Sequence, residues 1–330
     1  MKTNLDLGPG WLPENVQTLA DLIAYYGKEG PAYDPTRPPY AVFDWDNTCL
    51  AGDLGDAFFF GACVRRAPLF ADPDLWSILT AEDERDSLLA AWQDAFAEAG
   101  KASREALNRL RWQLARSFRL LSRRLGDRAY GWQTQLLAGM TPNQVEALSD
   151  LIIEEESHRP LGQEIIRAPG GADGVESIPT GLRLYPQIGR LRMYLERAGI
   201  AAWVITATSE IVVRAGAHRL GFARERVIGM RNEMVNGRLT STLQQPDTWG
   251  EGKVTVIQRD IHPTQRPILV VADGLTDREM LAYGADVRLV IDRGRPSLQE
   301  QVEAGRARGE RWLVQPPFPV EERVANTIQG

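Results

Sequence analysis

An α/β fold with a parallel sheet, interrupted by a long helical insertion, is what this sequence predicts, and three observations predict it. After about Leu182, short apolar runs alternate with amphipathic helical stretches. Between roughly residues 51 and 181 the character is helical. Ahead of that insertion, the apolar run Tyr40-Ala41-Val42-Phe43 stops abruptly at Asp44-Trp45-Asp46-Asn47-Thr48. Short apolar strands separated by helices imply a parallel sheet covered on both faces. Residues 1–50 and 182–330 are therefore expected to form the core, and 51–181 an inserted helical domain.

The elements follow in order. Over residues 13–27, Val16, Leu19, Leu22, Ile23 and Tyr26 fall at helical spacing. A Pro/Gly-rich link from Gly30 to Pro39 leads into the first strand. Within the insertion, Leu107, Leu110, Leu114, Phe118, Leu121 and Leu125 step by threes and fours, an apolar stripe. Arg104, Arg109, Arg111, Arg116, Arg119, Arg123, Arg124 and Arg128 flank it, the pattern of a solvated basic face rather than a polyanion site. Thr141-Pro142-Asn143-Gln144 is a capping box with Pro at the first helical position, opening a helix toward Glu156. The segment Pro160 to Pro179 is rich in Gly and Pro and is expected to be a linker. Beyond it come a helix (Pro186 to Ala198), a strand (Ala201 to Thr206), a helix (Glu210 to Leu220) and a strand (Val227 to Met230). Val235-Asn236-Gly237-Arg238 signals a hairpin turn. A helix near 252–260, a strand Ile268 to Ala272, a helix near 277–283 and a strand Val287 to Ile291 complete the series.

Composition narrows the function. The 330 residues suffice for one large domain or two modest ones, with 43% hydrophobic and 25% charged residues. A net charge of −6 argues against a nucleic-acid surface. No run approaches the ~18 apolar residues of a membrane span, and the first residues lack the apolar core of a signal peptide. Cys49 and Cys63 stand outside any CxxC pattern and suit a reducing compartment, so the cytoplasm is expected. His158, His218 and His262 lie far apart, which disfavours a histidine-built metal site. Only four of the 38 basic residues are lysines, and after Lys101 only Lys253 remains. A lysine kept in so arginine-rich a chain points to a task that needs a compact ammonium.

The end of the first strand carries the chemistry. Residues i and i+2 of an extended segment project the same way, so Asp44 and Asp46 are expected to converge. Converging carboxylates repel unless a cation or a shared proton lies between them. Mg2+ takes oxygen ligands of this kind, and a carboxylate can attack a phosphoryl group. A calcium loop is excluded, because the sixth position from Asp44 is Cys49 and the twelfth is Gly55. A turn in which Asp and Asn merely satisfy backbone groups stays open from this motif alone.

Downstream positions decide between the two. Thr206 ends one strand, and Asp273 ends another, followed by Gly274-Leu275-Thr276-Asp277. Lys253 stands just inside a helix entered through Gly250-Glu251-Gly252. Singly, each has an ordinary explanation as a cap, a turn or a solvated charge. Jointly, at the carboxyl ends of parallel strands, they make the set that phosphoryl chemistry uses.

The set Asp44-Trp45-Asp46-Asn47-Thr48, Thr206, Lys253 and Asp273 with Asp277 resembles the haloacid dehalogenase (HAD) superfamily of aspartate-nucleophile phosphatases. The resemblance implies a Rossmann-like three-layer core with a cap inserted after the first motif. It implies Asp44 as nucleophile, Asp46 as general acid and then base, Thr206 on the phosphoryl oxygens, and Lys253 holding Asp44 and the phosphate. Mg2+ would be held by Asp44, Asp46 and Asp273, with Asp277 behind them or ordering Lys253. True dehalogenases lack the second acid, so Asp46 points to a phosphatase. Ala272 departs from the glycine usual before Asp273.

A closer likeness runs through Val227-Ile228-Gly229, Thr248-Trp249, Gly252-Lys253 and Arg266-Pro267-Ile268-Leu269-Val270, toward the phosphoserine and phosphorylcholine phosphatase branch. It implies a small phosphate ester as substrate, with Asp53 meeting the substrate's ammonium group. Asp53 followed by Leu54-Gly55-Asp56 is equally the pattern of a helix N-cap. The rival readings are a phosphotransferase of the same fold and a catalytically silent binding protein. Neither a membrane nor a nucleic-acid partner is expected, and the oligomeric state is not legible.

Overall fold

The computed structural model describes residues 5–65, 76–96, 103–169 and 174–320. Lys2, Lys101 and the Cys63 side chain lie outside that description. In chain order the elements are α1 (Pro13–Tyr26), β1 (Tyr40–Phe43), β2 (Leu50–Ala51), α2 (Leu54–Arg65), α3 (Arg85–Phe96), α4 (Arg104–Leu125), α5 (Ala129–Gln135) and α6 (Pro142–His158). Next come β3 (Gly162–Arg167), β4 (Val175–Thr180), β5 (Arg183–Leu184), α7 (Pro186–Arg197), β6 (Ala201–Ser209), α8 (Glu210–Ala217), β7 (Val227–Met230), β8 (Asn232–Val235) and β9 (Arg238–Leu243). The chain ends through α9 (Glu251–Val256), β10 (Leu269–Ala272), α10 (Arg278–Tyr283), β11 (Val287–Ile291), α11 (Pro296–Ala307) and β12 (Arg311–Gln315).

The described residues divide into two compact units. The first takes residues 5–51, 183–229 and 246–320 and holds a six-stranded parallel sheet in the order β12-β11-β10-β1-β6-β7. β1, β7, β10 and β11 are buried at every position, as strands covered on both faces must be. On one face Tyr40, Val42, Val270, Ala272 and Val290 pack with Val256 of α9, Met280 and Leu281 of α10, and Leu298 and Val302 of α11. β1 sits in the middle, parallel to β6 on one side and β10 on the other. The strand order reverses there, and such a switch point opens a crevice beyond the carboxyl ends of the strands.

The second unit holds α2 to α6 and two hairpins. The stripe on α4 is its core: Leu110, Leu114 and Leu121 are buried around Trp132, with Leu107, Phe118 and Leu125 packed alongside. α6 begins at the expected capping box, Thr141 accepting from the Gln144 N–H at 3.3 Å and Gln144 Oε1 from the Thr141 N–H at 2.9 Å.

Three readings change here. The segment expected as a linker is the antiparallel hairpin β3–β4, which buries Ile166 and Ile178 in the unit's core. The arginines of α4 are not simply solvated. Arg111 pairs with Glu164 at 2.6 Å, Arg116 with Glu84 at 2.7 Å, Arg119 with Glu176 at 2.7 Å and Arg124 with Asp83 at 2.5 Å. The hairpin β8–β9, turning through Asn236 (φ 51°) and Gly237 (φ 74°), belongs to the second unit rather than to the core. Its backbone pairs with the α5–α6 link through Gly139 N–H to Leu239 O (2.8 Å) and Leu239 N–H to Met140 O (2.8 Å). Among the described residues no helix is long and apolar enough to cross a membrane.

Candidate active site

At the carboxyl end of β1 the chain leaves the sheet in a tight turn. Asp44 still donates its N–H to Val271 O on β10 at 2.8 Å, which fixes its direction. The Thr48 N–H (3.2 Å) and the Cys49 N–H (2.8 Å) then close back onto Trp45 O, with Asn47 in the left-handed region at φ 59°. The turn returns Thr48 to the strand end, where its hydroxyl donates to Asp44 Oδ2 at 2.9 Å. Alternation of side chains holds only while the backbone stays extended. Asp46 lies inside the turn, and its side chain is not one of the three carboxylates that cluster here. Its Oδ2 instead accepts from the Thr208 hydroxyl at 2.7 Å. The expected convergence of Asp44 and Asp46 as two side-chain ligands gives way to this arrangement.

Lys253 reaches the same point from α9. Its ammonium is fully buried, and Nζ donates to Asp277 Oδ1 (2.5 Å), Asp44 Oδ1 (2.7 Å) and Ile205 O (3.0 Å), which uses all three protons. Burial works against its charge, but Asp277 and Asp44 outweigh that and hold it above the ordinary lysine value. The Gly-Glu-Gly entry is a packing requirement. A Cβ on Gly252 would sit 1.7 Å from Asp247 O, and Gly250 turns at φ 54° while its N–H donates to Thr276 O at 2.8 Å.

Asp273 and Asp277 enter from the turn after β10. One carboxylate oxygen each of Asp44, Asp273 and Asp277 lie within 4.8 Å of one another, all three residues buried. Burial and the neighbouring Asp44 push Asp273 up to about 6 and Asp277 up to about 8. The cations within reach are Lys253 and, from the loop after β11, Arg293 and Arg295, which stand 3.0 and 3.9 Å from Asp273 Oδ2. Three buried carboxylates with oxygens this close together are the kind of donor set a hard cation takes. The Cys49 thiol, by contrast, is pushed up by burial and by Asp44 and Asp46, which removes it as a nucleophile at neutral pH.

The sequence matches the family described as haloacid dehalogenase-like hydrolase over residues 41–282, the span that carries Asp44, Asp46, Lys253, Asp273 and Asp277. The chain belongs to the HAD family. Its fold is shared with a conserved, functionally unknown protein from Anaerococcus prevotii DSM 20548, at a TM-score of 0.79 and 22% identity, covering 95% of this chain and 98% of that one. A protein of unknown function from Bordetella pertussis Tohama I aligns at a TM-score of 0.48 and 18% identity, over 84% of this chain and 98% of that one. A substrate-bound phosphoserine phosphatase aligns at 0.40 and 13%, over 83% and 92%. Those two likenesses are too loose to bear on the substrate. No curated protein matches the chain by sequence.

In this HAD hydrolase the structure brings Asp44, Lys253 and Asp277 into one bonded group, with Asp273 beside it. Thr206 lies at the same end of the neighbouring strand, buried, its hydroxyl oxygen accepting from the Thr208 N–H at 3.1 Å. β6 continues past it to Ser209, three residues longer than the sequence indicates. Asp53 belongs to the second unit and is the N-cap of α2, its Oδ1 accepting from the Asp56 N–H at 2.8 Å. Sequence reasoning missed Thr208 and Arg293. Arg293 was findable, since Asp292-Arg293 directly follows the carboxyl end of an apolar strand. Thr208 gave no signal, because only the turn at Asp46 brings that carboxylate to it.

Proposed function

We propose that this HAD hydrolase is a Mg2+-dependent phosphomonoesterase that forms an aspartyl-phosphate on Asp44 and acts on a small phosphate ester. The observation that carries the reading is the double hold on Asp44, by Lys253 on one carboxylate oxygen and Thr48 on the other, beside buried Asp273. A carboxylate so fixed is aimed, and phosphoryl transfer asks chiefly for aim and for neutralisation of charge. Bound by Asp44 and Asp273, Mg2+ would supply positive charge against the oxygens of the transferred group. Asp44 attacks phosphorus while Asp46 gives a proton to the departing oxygen. Asp46 then takes a proton from the water that hydrolyses the acyl phosphate. Thr206 binds the phosphoryl oxygens.

Within phosphate esters, we favour an amino-alcohol phosphate such as phosphoserine or phosphorylcholine, on the likeness of Val227-Ile228-Gly229, Thr248-Trp249, Gly252-Lys253 and the Arg266 to Val270 run to that branch. The test is phosphate release with Mg2+ across amino-alcohol, sugar and nucleotide phosphates. Asp53→Asn belongs in the same panel, because Asn caps a helix as well as Asp without the charge. A loss confined to amino-alcohol esters would give Asp53 a ligand role, and a uniform result would leave it a cap. A chain inert on every ester would return the silent binding protein. Phosphate passed to a second alcohol instead of water would identify the phosphotransferase.

Asp46→Asn is expected to lower kcat by ~10²–10⁴ for alkyl esters, and much less for nitrophenyl phosphate, whose leaving group needs little protonation. Equal losses on both esters would take the acid role from Asp46.

The cation can be tested without turnover. Folded-state pKa values raised to about 6 and about 8 at Asp273 and Asp277 mean that the folded protein holds protons the unfolded chain releases near pH 4. The stability this contributes is complete below the unfolded value and is lost as pH rises through the folded values. Mg2+ compensates the carboxylates that have lost their protons. Its Tm gain over EDTA is therefore expected to be several degrees larger at pH 8 than at pH 5.5. An equal gain at both pH values, or none, would remove the cation from this cluster.

A further inference from the structure

Thr208 bonds two members of the site at once. Its hydroxyl donates to Asp46 Oδ2 at 2.7 Å, while its N–H donates to Thr206 Oγ1 at 3.1 Å. The backbone around it is seated firmly against β7. A Cβ on Gly229 would lie 2.6 Å from Thr208 O and 2.8 Å from the Glu210 N, so only glycine allows this approach. Thr208 is itself half-buried at the end of β6.

We propose that Thr208 is a positioning residue that sets the donor and acceptor roles of both its partners. The inference rests on the phosphatase reading above. A hydroxyl that donates to Asp46 Oδ2 marks that oxygen as the acceptor, and in a protonated carboxyl the carbonyl oxygen is the better acceptor. The acidic proton of Asp46 is thereby carried on Oδ1, and that proton moves to the leaving oxygen as its bond to phosphorus breaks. Thr208 keeps its own proton throughout. On the other side, the Thr208 N–H occupies a lone pair of Thr206 Oγ1, so the Thr206 hydroxyl proton is turned outward as a donor to a phosphoryl oxygen. One residue beyond the known motif thus ties the acid on the β1 turn to the phosphate-binding end of β6.

The side chain can be removed with little change of shape, since valine suits an extended strand position and keeps the N–H to Thr206. Thr208→Val is expected to lower kcat for an alkyl phosphate by ~10–100-fold, the worth of a hydrogen bond to a charged group. KM should hold, and nitrophenyl phosphate should be hydrolysed within a few-fold of wild type. Thr208→Ser, which keeps the hydroxyl, should restore most of the alkyl rate. In an Asp46→Asn background, Thr208→Val should add no further loss. Equal losses on the two esters, a serine variant as poor as valine, or additivity with Asp46→Asn would each overturn the assignment while leaving the phosphatase reading intact. A wild-type protein inert toward both esters would overturn that reading and this one with it.

Discussion

Asp44→Asn is expected to abolish phosphate release while the protein stays folded. An amide cannot attack phosphorus, yet its volume is nearly that of the acid. The introduced amide keeps a carbonyl oxygen that can accept from Lys253, its NH2 can donate to the Thr48 hydroxyl, and Lys253 keeps Asp277 and Ile205 O as partners. The substitution also takes one negative charge out of a buried group of three. The Tm is therefore expected to stay within a few degrees of wild type, with kcat below detection on every ester. A variant that kept more than about one-hundredth of the wild-type rate would take the nucleophile's role from Asp44.

Lys253 gives the second large effect, and here stability falls with activity. Its ammonium is wholly buried, with three acceptors at 2.5, 2.7 and 3.0 Å. Lys253→Met has similar length and removes the charge, leaving Asp44 and Asp277 facing each other without their counter-ion. Breaking a buried pair from one side costs about 3–5 kcal/mol. Asp277 can relieve that cost by taking up a proton, so the destabilisation should be smaller at pH 5.5 than at pH 8. Lys253→Arg keeps the charge but brings a planar fork into a slot shaped for a compact ammonium, and it too should lose nearly all turnover. Chemical denaturation at the two pH values, beside kcat, is the measurement. Near-wild-type activity in Lys253→Arg, or a Lys253→Met cost independent of pH, would show the lysine to be incidental.

Much of this was legible because it is local. The alternation of short apolar strands with helices after residue 182 requires only backbone periodicity and burial on both faces, and the six-stranded parallel sheet has it. The strand ends at Asp44 and Asp273 and the glycine-flanked Lys253 could be named for the same reason, since strand ends in a parallel sheet converge whatever the intervening chain does. The α4 stripe and the Thr141 capping box are likewise written within one or two helical turns.

What spans the chain was not legible. Pro160 to Pro179 looks like a linker until β3 finds β4 and Arg111, Arg119 and Arg159 meet Glu164 and Glu176. The hairpin at 232–243 carries its own turn signal, but its allegiance to the second unit depends on backbone bonds to Gly139 and Met140, about a hundred residues earlier. Asp46 is the instructive case at the site. Extended spacing would put it beside Asp44, and the sequence by itself says no more. Three bonds closing a turn on Trp45 O and Asp44 Oδ2 end the strand, and a threonine 162 residues away takes up its carboxylate. The sequence alone determined which residues gather at the strand ends, because periodicity and chain direction are local properties. Only the tertiary structure decided which of them touch, because a hydrogen bond needs placement to a few tenths of an ångström, and that is set by the packing of the whole sheet.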